Sequence, residues 1–210
     1  MKNLVYIALG TTLIATSCNK QISSTTNTEA KDNQTFADLD KARIKHLSLD
    51  IETDFNTHQI KGSAAYTFEN NQAKQLILDT EKLTIDSVLL ANGQKTTYKL
   101  GEKDSIKGQA LIIDVTPKDT IVKVFYKTSP DANALQWLNP QQTHDKKHPF
   151  LLSQGQAILT RSWIPIQDTP SVRVTYDATV KTPKDSLPLM SAMNPKEKNE
   201  NVIYTCKIQQ

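Results

Sequence analysis

Two uncharged amides stand two residues apart, with a glycine between them, in the stretch PFLLSQGQAILTRSWIPIQDTPSVRVTY, residues 149–176. In an extended strand Gln154 and Gln156 share a face, and Gly155 leaves the opposite face bare, a pattern that often marks the close approach of another backbone or of a ligand. A glutamine amide offers two donors and an acceptor, so the pair could hold a polar or charged ligand group without ionising. Alternatively, both amides sit on a strand edge and are satisfied by loop backbone. Residue types and spacing leave both readings open.

Other candidate chemistry is weaker. His144 and His148 in THDKKHP have the four-residue spacing by which a helix brings two imidazoles to one metal. Pro149 follows directly, the segment is polar, and Asp145 stands where the zinc-protease motif needs glutamate, so a solvated loop is expected and no metal ligand is assigned. No serine lies in a nucleophile elbow, no glycine-rich loop could cradle phosphate, and Cys206 has no base in a recognisable pattern. The formal net charge is +3 and lysines are scattered among acids, so nucleic-acid binding has no electrostatic footprint.

These residues need a scaffold, and the pattern around them is of period two. In HLSLDIET, Leu47, Leu49 and Ile51 fall on one face and His46, Ser48, Asp50 and Glu52 on the other, the signature of a half-buried strand. QIKGSAAYTFEN repeats it with Ile60, Ala64, Tyr66 and Phe68, and the turn residues of DFNTH between them predict a hairpin. KQLILDT, LTIDSVLLANG, TTYKLGEK, QALIIDVTP and TIVKVFYKTSP follow as strands separated by Gly, Pro and Asn breakers. In SVRVTYDATVKTP, Val172, Val174, Tyr176, Ala178 and Val180 alternate with polar residues, predicting an antiparallel strand with one wet side. NVIYTCKIQQ reads as a last strand, with Val202, Tyr204, Cys206 and Ile208 on one side. No stretch keeps apolar residues at helical spacing for three turns. The expected fold is all-β, a sandwich or several packed sheets, without internal repeats.

The amino terminus has a different character. Residues 1–17 carry one lysine, an apolar stretch of about 11 residues and then small residues, too short for a membrane span and fitting a secretory signal. IATSC resembles a bacterial lipobox, which makes Cys18 the lipidated first residue of the mature chain and a membrane lipid its partner. The simpler alternative is an ordinary signal peptide with an incidental cysteine. A thioether-linked diacylglycerol is a stable anchor where one acyl chain is marginal. With Cys18 acylated, Cys206 has no partner for a disulfide and is expected as a buried or weakly exposed thiol. Residues 18–40, rich in Ser, Thr, Asn and charge, are expected to form a flexible tether. The domain then spans residues 41–210.

Residues 134–192 carry more than pattern. The order Gln136-Trp137-Leu138, His148-Pro149, Gln154, Gln156, Arg161, Pro165, Asp168-Thr169-Pro170-Ser171 and Met190-Ser191-Ala192 closely resembles the amino-terminal domain of zinc aminopeptidases of peptidase family M1, in the branch of leukotriene-A hydrolase and aminopeptidase B. The first hairpin looks like the same domain's beginning. The resemblance implies an all-β, saddle-shaped assembly of sheets that covers one side of a zinc catalytic domain. It also implies that Gln156 helps to hold the free amino group of a peptide substrate, with Gln154 lining the same pocket. Asp168, between Pro165 and Pro170, is implied to be a structural corner, with Arg161 as its ion-pair partner.

The departure from the family pattern is as informative. The H-E-x-x-H zinc motif and the Gly-x-Met-Glu-Asn segment occur nowhere in the 210 residues. Without a zinc-bound water there is no nucleophile for peptide hydrolysis, so the chain is expected to be inactive alone, with zinc belonging to a further catalytic domain. The expectation is the amino-terminal part of a lipid-anchored aminopeptidase of the bacterial cell envelope. The alternative is a stand-alone envelope lipoprotein that uses the β-domain as a binding module. Nothing in the residues bears on epoxide hydrolysis, the other activity of the branch.

Overall fold

The computed structural model describes residues 32–207, and Asp32–Gln210 group as one compact unit. Eleven strands follow one another: β1 Ala42–Asp54, β2 Gln59–Asn70, β3 Gln75–Thr80, β4 Thr84–Leu90, β5 Tyr98–Asp104, β6 Gly108–Asp114, β7 Ile121–Lys127, β8 Leu135–Leu138, β9 Phe150–Ser153, β10 Thr175–Lys181 and β11 Ile203–Lys207. No α-helix occurs among the described residues, as the absence of helical periodicity predicts. No helix long and apolar enough to cross a membrane is found there.

The strands form three sheets. Six are ordered β11-β10-β1-β2-β7-β4, three are ordered β3-β6-β5, and β8 pairs with β9 alone. Leu47, Leu49 and Ile51 of β1, with Ile60, Ala64, Tyr66 and Phe68 of β2, are all buried, so the alternation in the sequence reports the inward face. They join Leu76, Leu78, Leu111 and Ile113 of the three-stranded sheet in one apolar cluster. Each such aliphatic side chain contributes roughly 1.5–3 kcal/mol on burial, far more than an exposed hydrogen bond, so the inward faces set the register.

Two expectations are corrected. The strand read from residue 172 begins at Thr175, and it lies parallel to β1, with His46 opposite Thr175 and Glu52 opposite Lys181; only its other neighbour, β11, is antiparallel. Pro170 and the turn that follows delay the strand. Its place beside β1 is reinforced across the outer face, where the His46 ring bonds Thr175 Oγ1 at 2.7 Å and Asp177 Oδ2 at 2.8 Å. Alternation gives a strand's face and is silent about its partner's direction.

The second correction concerns the tether assigned to residues 18–40. Its last part is packed on the domain: Thr35 and Ala37 are each 8% exposed. The buried carboxylate of Asp79 accepts from Thr35 Oγ1 at 2.6 Å and from the Phe36 N–H at 2.7 Å. Composition counts apolar area, and here one buried acid of β3 holds the segment instead. Tyr204 and Cys206 of β11 are buried as their alternation predicts, Cys206 as a free thiol, while Val202 turns out of the strand at φ +54°.

Candidate functional site

The glutamine pair does not lie in a strand. β9 ends at Ser153, and Gln154 to Leu159 form a turn that leads into a short 3-10 segment, Thr160–Ser162. The apolar run invites a longer strand, but after Ser153 the backbone makes a single further ladder bond, from the Gln154 N–H to the Ala134 carbonyl at 2.8 Å. Gln154 and Gln156 are both exposed. The peptide bond from Gln156 to Ala157 is cis.

The bare position between them is occupied from within the chain. A Cβ on Gly155 would meet Thr160 Oγ1 at 2.4 Å, so the glycine makes room for Thr160 and not for a ligand. The Gly155 carbonyl accepts the Leu159 N–H at 2.8 Å. The Gln154 side-chain oxygen accepts the Gln156 N–H at 3.0 Å, while the Gln156 amide makes no hydrogen bond to another described residue. Of the pair, only Gln156 keeps its side-chain oxygen free of a partner among the described residues.

The turn is anchored on both sides. On one side stands β8, whose Trp137 packs inward against Phe55 (centroids 5.0 Å apart, edge-on) and His58 (5.5 Å, stacked). Trp137 is paired with Leu151, so the other face of the hairpin carries Gln136 opposite Leu152 and Leu138 opposite Phe150. Phe150 and Leu152 are 51% and 47% exposed, which leaves an apolar face leading up to Gln154. On the other side, Ser162 Oγ accepts the Ala134 N–H at 2.9 Å and ties the 3-10 segment back to β8.

Beside Ser162, Arg161 is fully buried. Its Nε donates to Asp168 Oδ2 at 3.2 Å, its Nη1 to the Lys107 carbonyl at 2.6 Å, and its Nη2 to the carbonyls of Gln34 and Asp168 at 2.8 and 3.0 Å. Asp79 Oδ2 lies 3.7 Å from Nη2 and accepts the Asp168 N–H at 2.9 Å. Burial pushes the Asp168 carboxyl up, and its bonds to Arg161 oppose that rise. The expected pairing of Arg161 with the Asp168 corner is therefore present, and Asp79 is the member that sequence reasoning missed. An acid inside the strand run KQLILDT looks like an outward-facing residue, and only its 0% exposure shows otherwise. The corner is held to the large sheet by Tyr66, whose buried hydroxyl donates to the Pro165 carbonyl.

His144 and His148 lie in the loop between β8 and β9, where His148 Nδ1 pairs with Asp145. Among the described residues no group of three or more His, Cys, Asp or Glu could hold a metal. Cys18 lies outside the described residues.

The description "Peptidase M1 N-terminal domain" fits residues 43–206. The chain belongs to this family. This member is 43% identical over 176 residues to leukotriene A-4 hydrolase of Xenopus laevis and 36% identical over 156 residues to leucine aminopeptidase 2 of Yarrowia lipolytica. The matches cover 80% and 72% of the chain but only 29% and 24% of those relatives. Among solved structures, native leukotriene A4 hydrolase from Saccharomyces cerevisiae superposes with a TM-score of 0.77 at 27% identity, covering 87% of this chain and 29% of that one. An M1 zinc metallopeptidase from Deinococcus radiodurans, solved with a Tyr-Ser-Ala substrate, shares the fold at a TM-score of 0.59 and 14% identity, with 80% of this chain and 39% of that one covered. The M1 amino-terminal β-domain thus accounts for the several sheets expected from the sequence, and the chain spans less than a third of the curated relatives it matches.

Proposed function

We propose that this chain is the substrate-covering amino-terminal domain of a lipid-anchored zinc aminopeptidase that removes residues from peptide amino termini. Gln156 receives the substrate's ammonium group on its side-chain oxygen, and Gln154 lines the same pocket. The observation that carries the reading is the Gln156 amide, exposed and without a described partner at the head of a turn fixed by buried groups, in a domain of the M1 family. A neutral amide orients an ammonium without ionising itself, and orientation is how such a contact lowers a barrier. The zinc and its activated water come from a catalytic domain partnering this one, in cis if the two share a chain. The apolar face of β8 and β9 supports such a cover, since a stand-alone binding module would present a polar surface there.

The amine contact is tested by titrating the 210-residue chain with leucinamide while following the side-chain amide resonances of Gln156. They should shift with leucinamide and stay in place with N-acetyl-leucinamide, which lacks the ammonium. Equal responses to both, or none to either, would remove Gln156 from amine binding.

Cys18 is the proposed attachment point of the lipid, and the bacterial cell envelope the proposed location. Cys18→Ser should move the protein from the membrane fraction to the soluble fraction of the producing cells. Retention of the variant in membranes refutes acylation at that residue.

A further inference from the structure

We propose that Gln154 is a positioning residue, whose side-chain carbonyl holds the backbone of Gln156 and so aims the Gln156 amide at its ligand. This rests on the amine-binding reading of Gln156 and gives the two glutamines different tasks. A backbone N–H can be accepted only by the amide oxygen, so the 3.0 Å bond from the Gln156 N–H fixes which way the Gln154 amide faces. The bond closes a small ring over Gly155, which has no side chain of its own to brace the turn.

The rest of the turn is held without Gln156. Gln154 is tied to Ala134 through its N–H, Gly155 to Leu159 through its carbonyl, and Thr160 fills the space against Gly155. Arg161, one residue on, is locked to Asp168 through both its backbone and its side chain. Gln156 stands between these fixed points, and among the described residues its only hydrogen bond is the one to Gln154. Without that bond the Gln156 backbone exchanges its partner for water, and its side chain loses a fixed direction.

The test compares the 210-residue chain with Gln154→Glu, Gln154→Leu and Gln154→Met. Glutamate keeps an acceptor at the same reach, while leucine and methionine keep bulk and lose it. Water exchange at the Gln156 backbone N–H should stay slow in the parent chain and in Gln154→Glu and become fast in the other two, with the exchange of strand amides unchanged. Leucinamide binding should weaken roughly 5- to 30-fold in Gln154→Leu and Gln154→Met, the range set by freeing one residue's backbone. Preserved slow exchange at Gln156 in Gln154→Leu and Gln154→Met overturns the proposal. So does exchange at Gln156 in Gln154→Glu as fast as that in Gln154→Leu. If leucinamide binds none of the four proteins, the amine reading of Gln156 fails, and the exchange comparison alone decides whether Gln154 holds the turn.

Discussion

Arg161→Met should destabilise the domain by about 3–5 kcal/mol, the range for removing one partner of a buried ion pair. Methionine fills most of the volume, so a packing defect is not the main term. The loss comes from what is left behind: the carbonyls of Gln34, Lys107 and Asp168 lose donors, and the carboxylates of Asp79 and Asp168 keep their burial without the cation. Asp168 gives the variant a pH signature. Burial already pushes its carboxyl up, and losing the guanidinium removes part of what holds it down, while the backbone N–H of residue 161 still donates to Asp168 Oδ2. An acid whose folded pKa exceeds its unfolded value binds the proton more tightly when folded, so its penalty is full at neutral pH and shrinks as pH falls through the folded value. Urea denaturation at pH 8 and at pH 5 should therefore show a smaller deficit at the lower pH. A deficit below 1 kcal/mol, or one that grows on acidification, contradicts this account. Arg161→Lys should fall between, because an ammonium cannot present a planar fork to four acceptors.

Gly62→Ala should be the second severe change, on the order of 2–4 kcal/mol, although it adds one methyl to the middle of a strand. Gly62 sits at φ +151° on the inward side of β2, and a Cβ there would lie 2.1 Å from the Asp50 carbonyl oxygen and 2.8 Å from the Ile51 Cα. Both are backbone atoms of the neighbouring strand, so no side chain can rotate away and the β1–β2 ladder itself must open. Gly93→Ala is the comparison. Its φ of +79° is unfavourable for alanine, but nothing lies within 4 Å of the added carbon, so only the conformational cost of about 1 kcal/mol applies. Thermal unfolding of the two variants side by side separates the terms. Equal melting temperatures would mean that strain at positive φ, and not the collision with β1, governs both sites.

What could be read in the sequence was whatever one buried face dictates. Leu47, Leu49 and Ile51 alternate with polar residues because the sheet they join is wet on one side only, and the same holds for Tyr204 and Cys206. The direction of β10 was not legible, because its partner β1 lies about 130 residues away and period two is the same for parallel and antiparallel neighbours. Asp79 was hidden for a related reason. Its partners Thr35, Phe36 and Asp168 come from two distant segments, and no local pattern distinguishes an acid that gathers them from one facing water. The glutamine pair could be singled out by residue type, and the residue-by-residue resemblance gave it a chemistry. Its backbone was misread because the apolar residues of FLLSQGQAIL continue past the last ladder bond, and Gly155 looked like space for a visitor when it was space for Thr160.

The parallel pairing of β1 with β10 also sets an order of events during synthesis. β1 and β2 can pair as soon as both have left the ribosome, but the other edge of β1 must wait until Thr175 to Lys181 emerge. For most of translation the growing chain therefore carries one open edge along a strand of 13 residues, part of which, His46 to Glu52, later receives β10. Open edges of that length invite pairing between nascent chains. The outward residues His46, Ser48, Asp50 and Glu52, which later accommodate β10, first make that waiting edge unattractive to another copy of itself.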